Sequence, residues 1–418
     1  MDKKILIVAE SIDVEDSSGT KGRVALIKNL KQIGFNVKVF HYTRKDIQLE
    51  EIPCKAIKEN RNSFLFYLSR FERLLRLKLK LDFHIPLEKL FGFSFTLYND
   101  RNSIIDELKG SEELDSDLII TLSKGGSFRP HHALLKMPEL HHKWLAYIHD
   151  PYPAHLYPRP FAWVEAGYFQ KWKFIHDISK NAAYSAFPSK LLMEWMGSYF
   201  PNFLKTGYII PHQLFDSKTE GIELPEFFNP DNFNLLHAGT LLDPRNPKSL
   251  VRAFEKFLKR NSNARGHSKL IFLGGKNVFS SWLEDYEKHL KELKVSESYI
   301  SFDKVRKMQQ NAAVNIILEA KSEISPFLPG KFPHCVQADK PILLLGPKLS
   351  ESKRLLGEDY RYWSEIDDED KIADIIESLY LNWKNYQGTE GLNRTDLINY
   401  LSTPYLREVL GKIQSSQP

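Results

Sequence analysis

SPFLPGKFPHCVQADKPILLL, residues 325–345, is the stretch that says most about the fold of this chain. It predicts a loop, a short helix that opens at Gly330 and Lys331, a turn at Asp339 and Lys340, and then a buried strand. The start of a helix leaves backbone N–H groups unused and carries a partial positive charge, to which Lys331 adds a full charge. We therefore expect an anion to bind at this position.

A second strand–loop–helix pattern, LLHAGTLLDPRNP, covers residues 235–247 and carries Arg245 in its loop. Lysine binds phosphate as a point charge, whereas arginine can donate to two of its oxygens. Each residue alone would also suit a solvated position at a helix start. Because both loops lie in the same half of the chain, together they favour a diphosphate held between Arg245 and Lys331.

The composition limits the class of protein. The 418 residues are enough for two domains of roughly 200 residues each. The net charge of +5 does not indicate a nucleic-acid partner, which a concentrated basic stripe would. Two cysteines, Cys54 and Cys335, exclude a disulfide framework and fit a reducing compartment. Neither a signal-peptide core nor an apolar stretch of about 20 residues stands in the sequence, so we expect a cytoplasmic protein, which could attach to the inner face of the membrane.

Short apolar runs alternate with helical patterns throughout, which predicts an α/β protein with parallel sheets covered on both faces. We expect an N-terminal, acceptor-binding Rossmann-like domain over residues 1–210, a linker over 211–232, a C-terminal Rossmann-like domain over 233–390, and a final helix over 391–418 that could cross back to the first domain. The two domains would face each other across a cleft that binds the ligands. The predicted strands cover residues 5–9, 37–42, 118–122, 144–149, 182–187, 208–210, 233–238, 270–273, 299–302, 314–318, 342–345 and 360–363.

The first candidate site of the N-terminal half is SGTKGR, residues 18–23, which follows the first strand and opens a helix. Gly19 and Gly22 would let a ligand approach the backbone beside Arg23. The pattern is neither a Walker loop nor a dinucleotide fingerprint. An ordinary helix start is an equally good interpretation.

The second candidate site is WLAYIHDPY, residues 144–152, a buried strand that ends on His149 and Asp150. Asp150 could polarise an incoming hydroxyl group, and His149 could orient that hydroxyl or share its proton. The alternative is that Asp150 caps a turn before proline while His149 is a satisfied, half-buried residue.

A third candidate site follows another strand, in SKGGS at residues 123–127 and the histidine pair at 131–132. The glycines could form a nest for an oxyanion, with Ser127 and His131 towards an acceptor. We expect no metal here, because adjacent histidines diverge on a helix and no third ligand stands at a useful spacing.

Residues 70–81, RFERLLRLKLKL, combine basic and leucine side chains. The spacing predicts a helix at first and, from Leu75, an alternating strand. Segments of this composition can lie on anionic membrane surfaces. A half-buried element with a solvated basic face is the equal alternative. A second helix, expected over residues 161–176, is rich in aromatic side chains that we assign to packing.

Together these motifs resemble the GT-B glycosyltransferases, and in particular the retaining family 4 branch with Asp-Pro-Trp and Pro-Ser-Lys motifs. HAGTLLDPRNPKSL, residues 237–250, resembles the Ala-Gly-Thr-Leu…Arg-x-Pro…Leu motif of that branch, with Arg245 at its diphosphate-binding arginine. Residues 329–343 are similar to its Pro-Ser-Lys motif, with Lys331 in register. Residues 18–23 and 144–152 resemble the family's glycine loop and its Asp-Pro-Trp strand end.

The resemblance implies a donor site in the C-terminal half. The family glutamate that holds the donor ribose falls at His334, which can still bond a hydroxyl group. The glutamate that faces the donor sugar falls near Pro326, so Glu323 or the backbone of Phe327 and Leu328 would replace it. The donor-binding residues implied in this way are Gly239, Thr240, Arg245, Glu323, Phe327, Leu328, Gly330, Lys331 and His334.

The activity implied by the resemblance is transfer of a sugar from a nucleotide-diphosphate sugar to a glycan or lipid-linked acceptor, by a retaining hexosyl transfer in the synthesis of surface polysaccharide or another glycan. Arg245 and Lys331 would take the place of a metal, so no cofactor is expected. Partners would be the nucleotide sugar, the acceptor and, through residues 70–80, a membrane surface, but not nucleic acid. The alternatives are a GT-B sugar epimerase or phosphorylase, and an inactive nucleotide-sugar-binding assembly protein.

Overall fold

A computed structural model of the protein describes residues 3–16, 18–214, 220–296, 298, 300–385 and 390–416. The chain divides into two units. The first comprises Met1–Tyr157, Ala162–Gln213 and Leu401–Pro418, and the second comprises Pro158–Phe161 and Leu214–Tyr400. The predicted linker over 211–232 includes residues 215–219, which lie outside the described residues, and the predicted domain boundaries stay predictions.

The first unit is built on a parallel sheet. Its strands are β1 (Lys4–Ala9), β2 (Asn36–His41), β3 (Cys54–Ala56), β4 (Leu118–Leu122), β5 (Trp144–Tyr147), β6 (Tyr184–Phe187) and β7 (Gly207–Ile209). Its helices up to that point are α1 (Ser18–Gln32), α2 (Phe64–Leu79), α3 (His84–Phe91), α4 (Phe95–Lys109), α5 (Arg129–Leu134), α6 (Tyr168–Asn181), α7 (Lys190–Tyr199) and α8 (Asn202–Thr206). Short 3₁₀ helices cover Glu112–Asp115, Pro138–Lys143 and Ala154–Leu156.

Within the described residues, the strands of this sheet run in the order β3-β2-β1-β4-β5-β6-β7, and every pair is parallel. Strand β1, KILIVA, is buried on both faces, as the continuous apolar run requires. Leu6 and Val8 point into one core, whereas Ile5 and Ile7 point into the other. The chain order reverses between β1 and β4, which is where such sheets bind ligands.

The second unit contains β8 (Phe233–Ala238), β9 (Ser268–Leu273), β10 (Leu293–Val295), β11 (Val314–Leu318), β12 (Ile324–Ser325), β13 (Ile342–Leu345), β14 (Leu349–Ser350) and β15 (Trp363–Ser364). Its helices are α9 (Lys248–Arg260), α10 (Ser280–His289), α11 (Phe302–Asn311), α12 (Phe332–Gln337), α13 (Glu351–Leu356), α14 (Glu369–Asn385) and α15 (Thr395–Tyr400), with a 3₁₀ helix at Ser262–Ala264.

The main sheet of the second unit repeats the plan of the first. Over the part of the chain that is described, its parallel strands run in the order β10-β9-β8-β11-β13-β15, and β12 pairs with β14 separately. The order reverses between β8 and β11, so the loops after these two strands meet at the ligand-binding edge. The predicted α/β class with two parallel sheets is confirmed.

The chain ends on helix α16 (Thr403–Ser415), which packs against α1 in the first unit. Leu406, Val409, Leu410 and Ile413 lie on one face of α16 and join the core that contains Ile5. Their spacing of three and four residues gives the helix the apolar stripe that this packing buries. No described helix is both long enough and apolar enough to cross a membrane.

Several predicted elements are wrong in detail. The strand predicted over residues 299–302 is absent from the described residues 300–302, because Phe302 begins α11, while residue 299 lies outside the described residues. The strand at that edge is β10, whose sequence LKV is too short and mixed to stand out. Only the end of the predicted strand over 360–363 lies in a strand, β15.

Two predicted helices also have different limits. Residues 70–79 belong to the single helix α2, so the strand predicted from Leu75 is wrong. Leucine and lysine are both good helix formers, and alternation alone does not end a helix. The helix predicted over 161–176 begins only at Tyr168, after Gly167 at φ 66°.

Candidate functional site

The second unit places Lys331 against the end of β8. Its Nζ lies 2.8 Å from Nε2 of His237, a buried residue of that strand. Removal of the ammonium from water, together with the positive charge of Arg245, lowers the pKa of Lys331 to about 7. Burial, followed by the charges of Lys331 and Arg245, holds the pKa of His237 well below its usual value. The site therefore places the ammonium of Lys331 under the influence of a second positive charge.

Gly239 makes room for the lysine. A side chain at this position would place its Cβ 2.9 Å from Nζ of Lys331, and the backbone has φ +138°. A Cβ at Gly274, after the neighbouring strand β9, would lie 2.8 Å from the carbonyl oxygen of Gly239. The two glycines thus let the ends of β8 and β9 approach each other and the ammonium of Lys331. Thr240 follows in the same loop.

Arg245 lies in the turn after β8 and is half-buried. Its backbone N–H donates to the carbonyl oxygen of Leu242 at 2.7 Å, which fixes the turn. Its charge lowers the pKa of both Lys331 and His237, so the guanidinium is close to both. Arg245 thus acts electrostatically on both residues at the end of β8, and a diphosphate held between Arg245 and Lys331 stays a prediction.

Helix α12 contributes less than predicted. It has six residues, the N–H of Phe332 already donates to the carbonyl oxygen of Pro329, and Pro333 has no N–H. Few backbone donors remain at the helix start, and so short a helix has a small dipole. The predicted anion contact at this position would therefore depend on the side chains of Lys331 and Arg245 more than on the helix.

The other predicted donor residues are scattered along the same loop. Leu328 is buried, Gly330 is exposed, and Phe327 has its ring 6.5 Å from that of Phe161. His334 packs its ring edge-on against Phe302, with 5.0 Å between centroids. Glu323 is exposed and forms no ion pair or hydrogen bond with any described residue. Nothing in this geometry places Glu323 at the cation pair.

Glu319 is an acidic residue that the sequence reasoning missed. It follows β11 directly, at the reversal of strand order, and is 3% exposed. Ser352 Oγ donates to its Oε1 at 2.6 Å, and a Cβ at Gly346 would lie 2.9 Å from Oε2. Burial raises the pKa of Glu319 to about 7, while Arg245 acts in the opposite direction. The available signal was a carboxylate immediately after the buried strand VNIIL.

A cavity of about 620 Å³ opens at the carboxyl ends of β8, β9 and β10, and its lining includes Gly239 but not Lys331, Arg245 or Glu319. Its size is in the range of small-molecule pockets, roughly 300–1,000 Å³. Gly239 lines it, so it adjoins the ammonium of Lys331. Other lining residues are Leu241, Phe272, Gly274, Gly275, Lys276 and Ser296.

The first unit places Asp150 at the end of β5. The Oδ2 atom of Asp150 lies 3.6 Å from Nε2 of His149, and a Cβ at Gly125 would lie 3.1 Å from the same oxygen. Burial, then the charge and hydrogen bond of Asp150, raise the pKa of Tyr157. Burial holds the pKa of His149 well below its usual value, so this imidazole is neutral near pH 7. A half-buried carboxylate with a neutral imidazole and a phenol beside it can orient and deprotonate a hydroxyl group.

Glu10, which the sequence reasoning missed, organises the loop at residues 123–127. Its carboxylate accepts hydrogen bonds from the backbone N–H of Lys124 at 3.0 Å, from Oγ of Ser127 at 2.6 Å, and from Arg129. The loop therefore binds a carboxylate of this chain, through the backbone of Lys124 and the hydroxyl of Ser127. The hydroxyl of Ser127 donates to Glu10, and its contact with an acceptor stays a prediction.

The predicted glycine loop at residues 18–23 is the first part of helix α1. Arg23 is buried and donates to the carbonyl oxygens of Ser11 and Ser123 and to Oγ1 of Thr20. It therefore ties the loops after β1 and β4 together. Gly19 and Gly22 lie in the first turns of α1, and the ligand contact predicted for them stays a prediction.

His131 is a core residue. It is 0% exposed and packs edge-on against Phe128 and Trp144. Burial lowers its pKa to about 3. The prediction that it faces an acceptor is wrong, since α5 turns it inwards. Among the described residues no group of three or more His, Cys, Asp or Glu side chains could hold a metal ion, and a metal-free reaction stays a prediction.

No protein-family model matches the chain, and no curated protein matches it in sequence. Solved structures do match its fold over almost the whole length. A glycosyltransferase from Rickettsia africae ESF-5 superimposes with a TM-score of 0.63 at 14% identity, over 99% of this chain and 98% of that one.

Two further likenesses are of the same kind. An α,α-trehalose-phosphate synthase (UDP-forming) from Burkholderia xenovorans, in complex with glucose-6-phosphate, has a TM-score of 0.60 at 10% identity, over 99% of this chain and 100% of that one. Anabaena Alr3699/HepE, in complex with UDP and glucose, has a TM-score of 0.56 at 12% identity, with the same coverage of 99% and 100%. At this level of identity the comparison defines the fold alone, and that fold is GT-B.

Proposed function

We propose that the chain is a glycosyltransferase whose second unit binds a nucleotide-diphosphate sugar. The observation that carries this proposal is the convergence of Lys331 and Arg245 on the end of β8, beside a cavity of about 620 Å³. A diphosphate is the ligand that would neutralise two neighbouring cations and continue into a cavity of nucleoside dimensions.

The two cations also suit the chemistry of sugar transfer. When the bond between the anomeric carbon and the diphosphate oxygen breaks, negative charge grows on the departing diphosphate. Lys331 and Arg245 would stabilise that charge where it develops, which is how an electrostatic site accelerates a reaction. We therefore propose a reaction without a metal ion.

The nucleoside would occupy the cavity along β8, β9 and β10. Gly274 and Gly275 allow close approach of the ligand, and the side chains of Lys276 and Ser296 offer polar contacts. UDP is the first nucleotide to test, because the Anabaena structure contains UDP and the Burkholderia enzyme is UDP-forming. His334 is the candidate for contact with the ribose, on the motif resemblance alone.

We assign acceptor binding to the first unit. Asp150 is the candidate to orient and polarise the acceptor hydroxyl, since its carboxylate lies beside neutral His149 and Tyr157. The acceptor class we propose is a glycan or a lipid-linked glycan, and its proton would leave to a carboxylate as the new glycosidic bond forms. Retention of configuration, placement in family 4 and a role in surface-glycan synthesis are supported only by the sequence motifs.

Two measurements on the unmodified chain test the function. Calorimetry with UDP-, GDP-, ADP- and dTDP-linked sugars, without added metal, should show binding of one nucleotide class. Release of the nucleoside diphosphate should then accelerate when a glycan or lipid-linked glycan acceptor is added, with sugars and sugar phosphates tested beside it. Binding without release under any acceptor would favour the alternative that the chain is an inactive nucleotide-sugar-binding protein, which the histidine at position 334 in place of glutamate motivates. Absence of binding to every class would contradict the proposal.

A further inference from the structure

Helix α2 leaves an apolar stripe uncovered. Phe64 is 76% exposed, Tyr67 61%, Phe71 59% and Leu74 47%. Their spacing of three, four and three residues puts them on one face of the helix. Of the sixteen residues of α2, only Ser69 is buried. A helix of a folded protein normally buries its apolar stripe, so this one presents a surface for something outside the chain.

The uncovered surface continues through the next elements. Helix α3 has no buried residue, and its Leu90 is largely exposed. The segment of residues 163–169 lies against the end of α3, because a Cβ at Gly167 would lie 2.3 Å from the carbonyl oxygen of Glu88. Val164 and Phe169 in that segment are also largely exposed. We name the exposed apolar side chains of α2, α3 and residues 163–169 the docking face.

Positive charge without internal partners borders the docking face. Arg73, Arg76, Lys78 and Lys80 are exposed, and none of them forms an ion pair with a described residue. Glu88, by contrast, is engaged by Lys171, with 3.1 Å between Nζ and Oε2. The edge of the face is therefore cationic, and its cations are available to anions in solution or on a surface.

We propose that the docking face binds the surface of an anionic lipid bilayer. Phenylalanine and leucine of the stripe would enter the acyl-chain boundary, while the tyrosine hydroxyl stays at headgroup level. The arginines and lysines would reach the lipid phosphates along their flexible stems. A protein partner is the weaker interpretation, because protein interfaces are depleted in lysine and this edge offers several uncompensated cations. The inference is independent of the proposed reaction, since it concerns binding without donor or acceptor.

The test is co-sedimentation of the full chain with vesicles of phosphatidylcholine, with or without phosphatidylglycerol. We expect binding to the anionic vesicles, weaker binding to the neutral ones, and release as salt is raised. Leu74→Ser has a matched control in Leu381→Ser, because Leu381 lies on α14 and is also 47% exposed. The double variant Phe71→Ser/Leu74→Ser should lower the partition coefficient by roughly tenfold or more, and Leu381→Ser should not change it.

A charge variant separates the two contributions. Arg73→Glu/Arg76→Glu should abolish the preference for phosphatidylglycerol. A thermal unfolding midpoint equal to that of the parent chain shows that a variant retains the fold. No binding to anionic vesicles, or equal binding by the parent chain and Phe71→Ser/Leu74→Ser, would overturn the proposal. So would a dimer of the parent chain in light scattering that the double variant converts to a monomer, because the face would then be an interface between two copies.

Discussion

Nζ of Lys331 and Nε2 of His237 lie 2.8 Å apart at the end of β8, and Gly239 leaves the space that the ammonium occupies. With its pKa lowered to about 7, Lys331 is only partly protonated near neutral pH. A bound diphosphate would hold the proton on the lysine, because an adjacent negative charge stabilises the ammonium form. Binding and protonation at this site should therefore be coupled.

The first prediction is uptake of a proton when the nucleotide binds. The pKa of Lys331 is about 7 without ligand and is raised by the diphosphate, so affinity is highest below pH 7 and falls as the pH rises from 7 towards the pKa of the complex. Calorimetry in buffers of different ionisation enthalpy should show uptake approaching one proton at about pH 8.5 and little at about pH 5.5.

Lys331→Arg is the control for this coupling. Arginine keeps its charge throughout this pH range, so the variant should bind with no proton uptake from this position. If the parent chain takes up no proton at alkaline pH, or the arginine variant takes up as many protons as the parent, Lys331 is not the coupled group.

The second prediction concerns Gly239. Alanine there would place a Cβ 2.9 Å from Nζ of Lys331 and strain a backbone with φ +138°. We expect Gly239→Ala to displace the ammonium and weaken nucleotide binding by roughly tenfold or more. Gly411→Ala is the control, because a Cβ there has nothing within 4 Å and the residue lies on α16, in the other unit. Equal affinities of the two variants would show that Gly239 has no special relation to the ligand.

The third prediction separates the two units by function. Asp150→Asn should lower turnover by roughly 100-fold, the usual contribution of a general base, and leave nucleotide affinity unchanged. Asp115→Asn, which changes a carboxylate whose side chain is 91% exposed in the same unit, should affect neither quantity. Measurements of kcat and nucleotide Kd for both variants decide the matter. Full activity in folded Asp150→Asn would remove Asp150 from the proposal.

The fourth prediction uses the pH dependence of stability. The pKa of Glu319 rises from 4.5 to about 7 on folding, so its contribution to stability is complete below pH 4.5 and is lost as the pH rises through 7. A shift of this size corresponds to roughly 3 kcal/mol. Glutamine does not ionise, so Glu319→Gln does not lose stability in this way as the pH rises. Between about pH 4.5 and pH 8, the free energy of unfolding of the variant should therefore rise by about that much relative to that of the parent.

Chemical denaturation at the two pH values measures this gain. Glu323→Gln provides the comparison, because Glu323 is exposed in a nearby loop. It should show the same difference from the parent at both pH values. If the free energy of unfolding of Glu319→Gln differs from that of the parent by the same amount at every pH, Glu319 is ionised in the folded protein without cost to stability.

Part of this fold can be predicted from short apolar runs. KILIVA of β1 and ILLL of β13 are continuous and bounded by turn residues, so their burial in parallel sheets follows from the sequence. The position of the edge strand β10 does not follow from the sequence, because LKV alternates and only Leu293 of this strand is buried. Its pairing with β9 is decided by contacts far along the chain.

The residues of the candidate site also divide into some that the sequence indicates and others that it does not. Arg245 and Lys331 could be identified because each follows a turn signal near a predicted strand. Glu10 and His237 could not, because a polar residue in or after an apolar strand reads the same whether it faces a ligand or an internal partner. His131 illustrates the reverse error. Its helix α5 is too short for any periodicity to show which side faces the core.

The most direct test of the central claim is the nucleotide affinity of Lys331→Ala and Arg245→Ala, compared with Lys348→Ala, which removes an exposed lysine from the same unit. Charged hydrogen bonds to phosphate predict a loss of roughly 10- to 100-fold in each of the first two variants and no loss in the third. Folding of every variant is checked by its thermal unfolding. Unchanged affinity in folded Lys331→Ala and Arg245→Ala would contradict the assignment of these residues to a diphosphate.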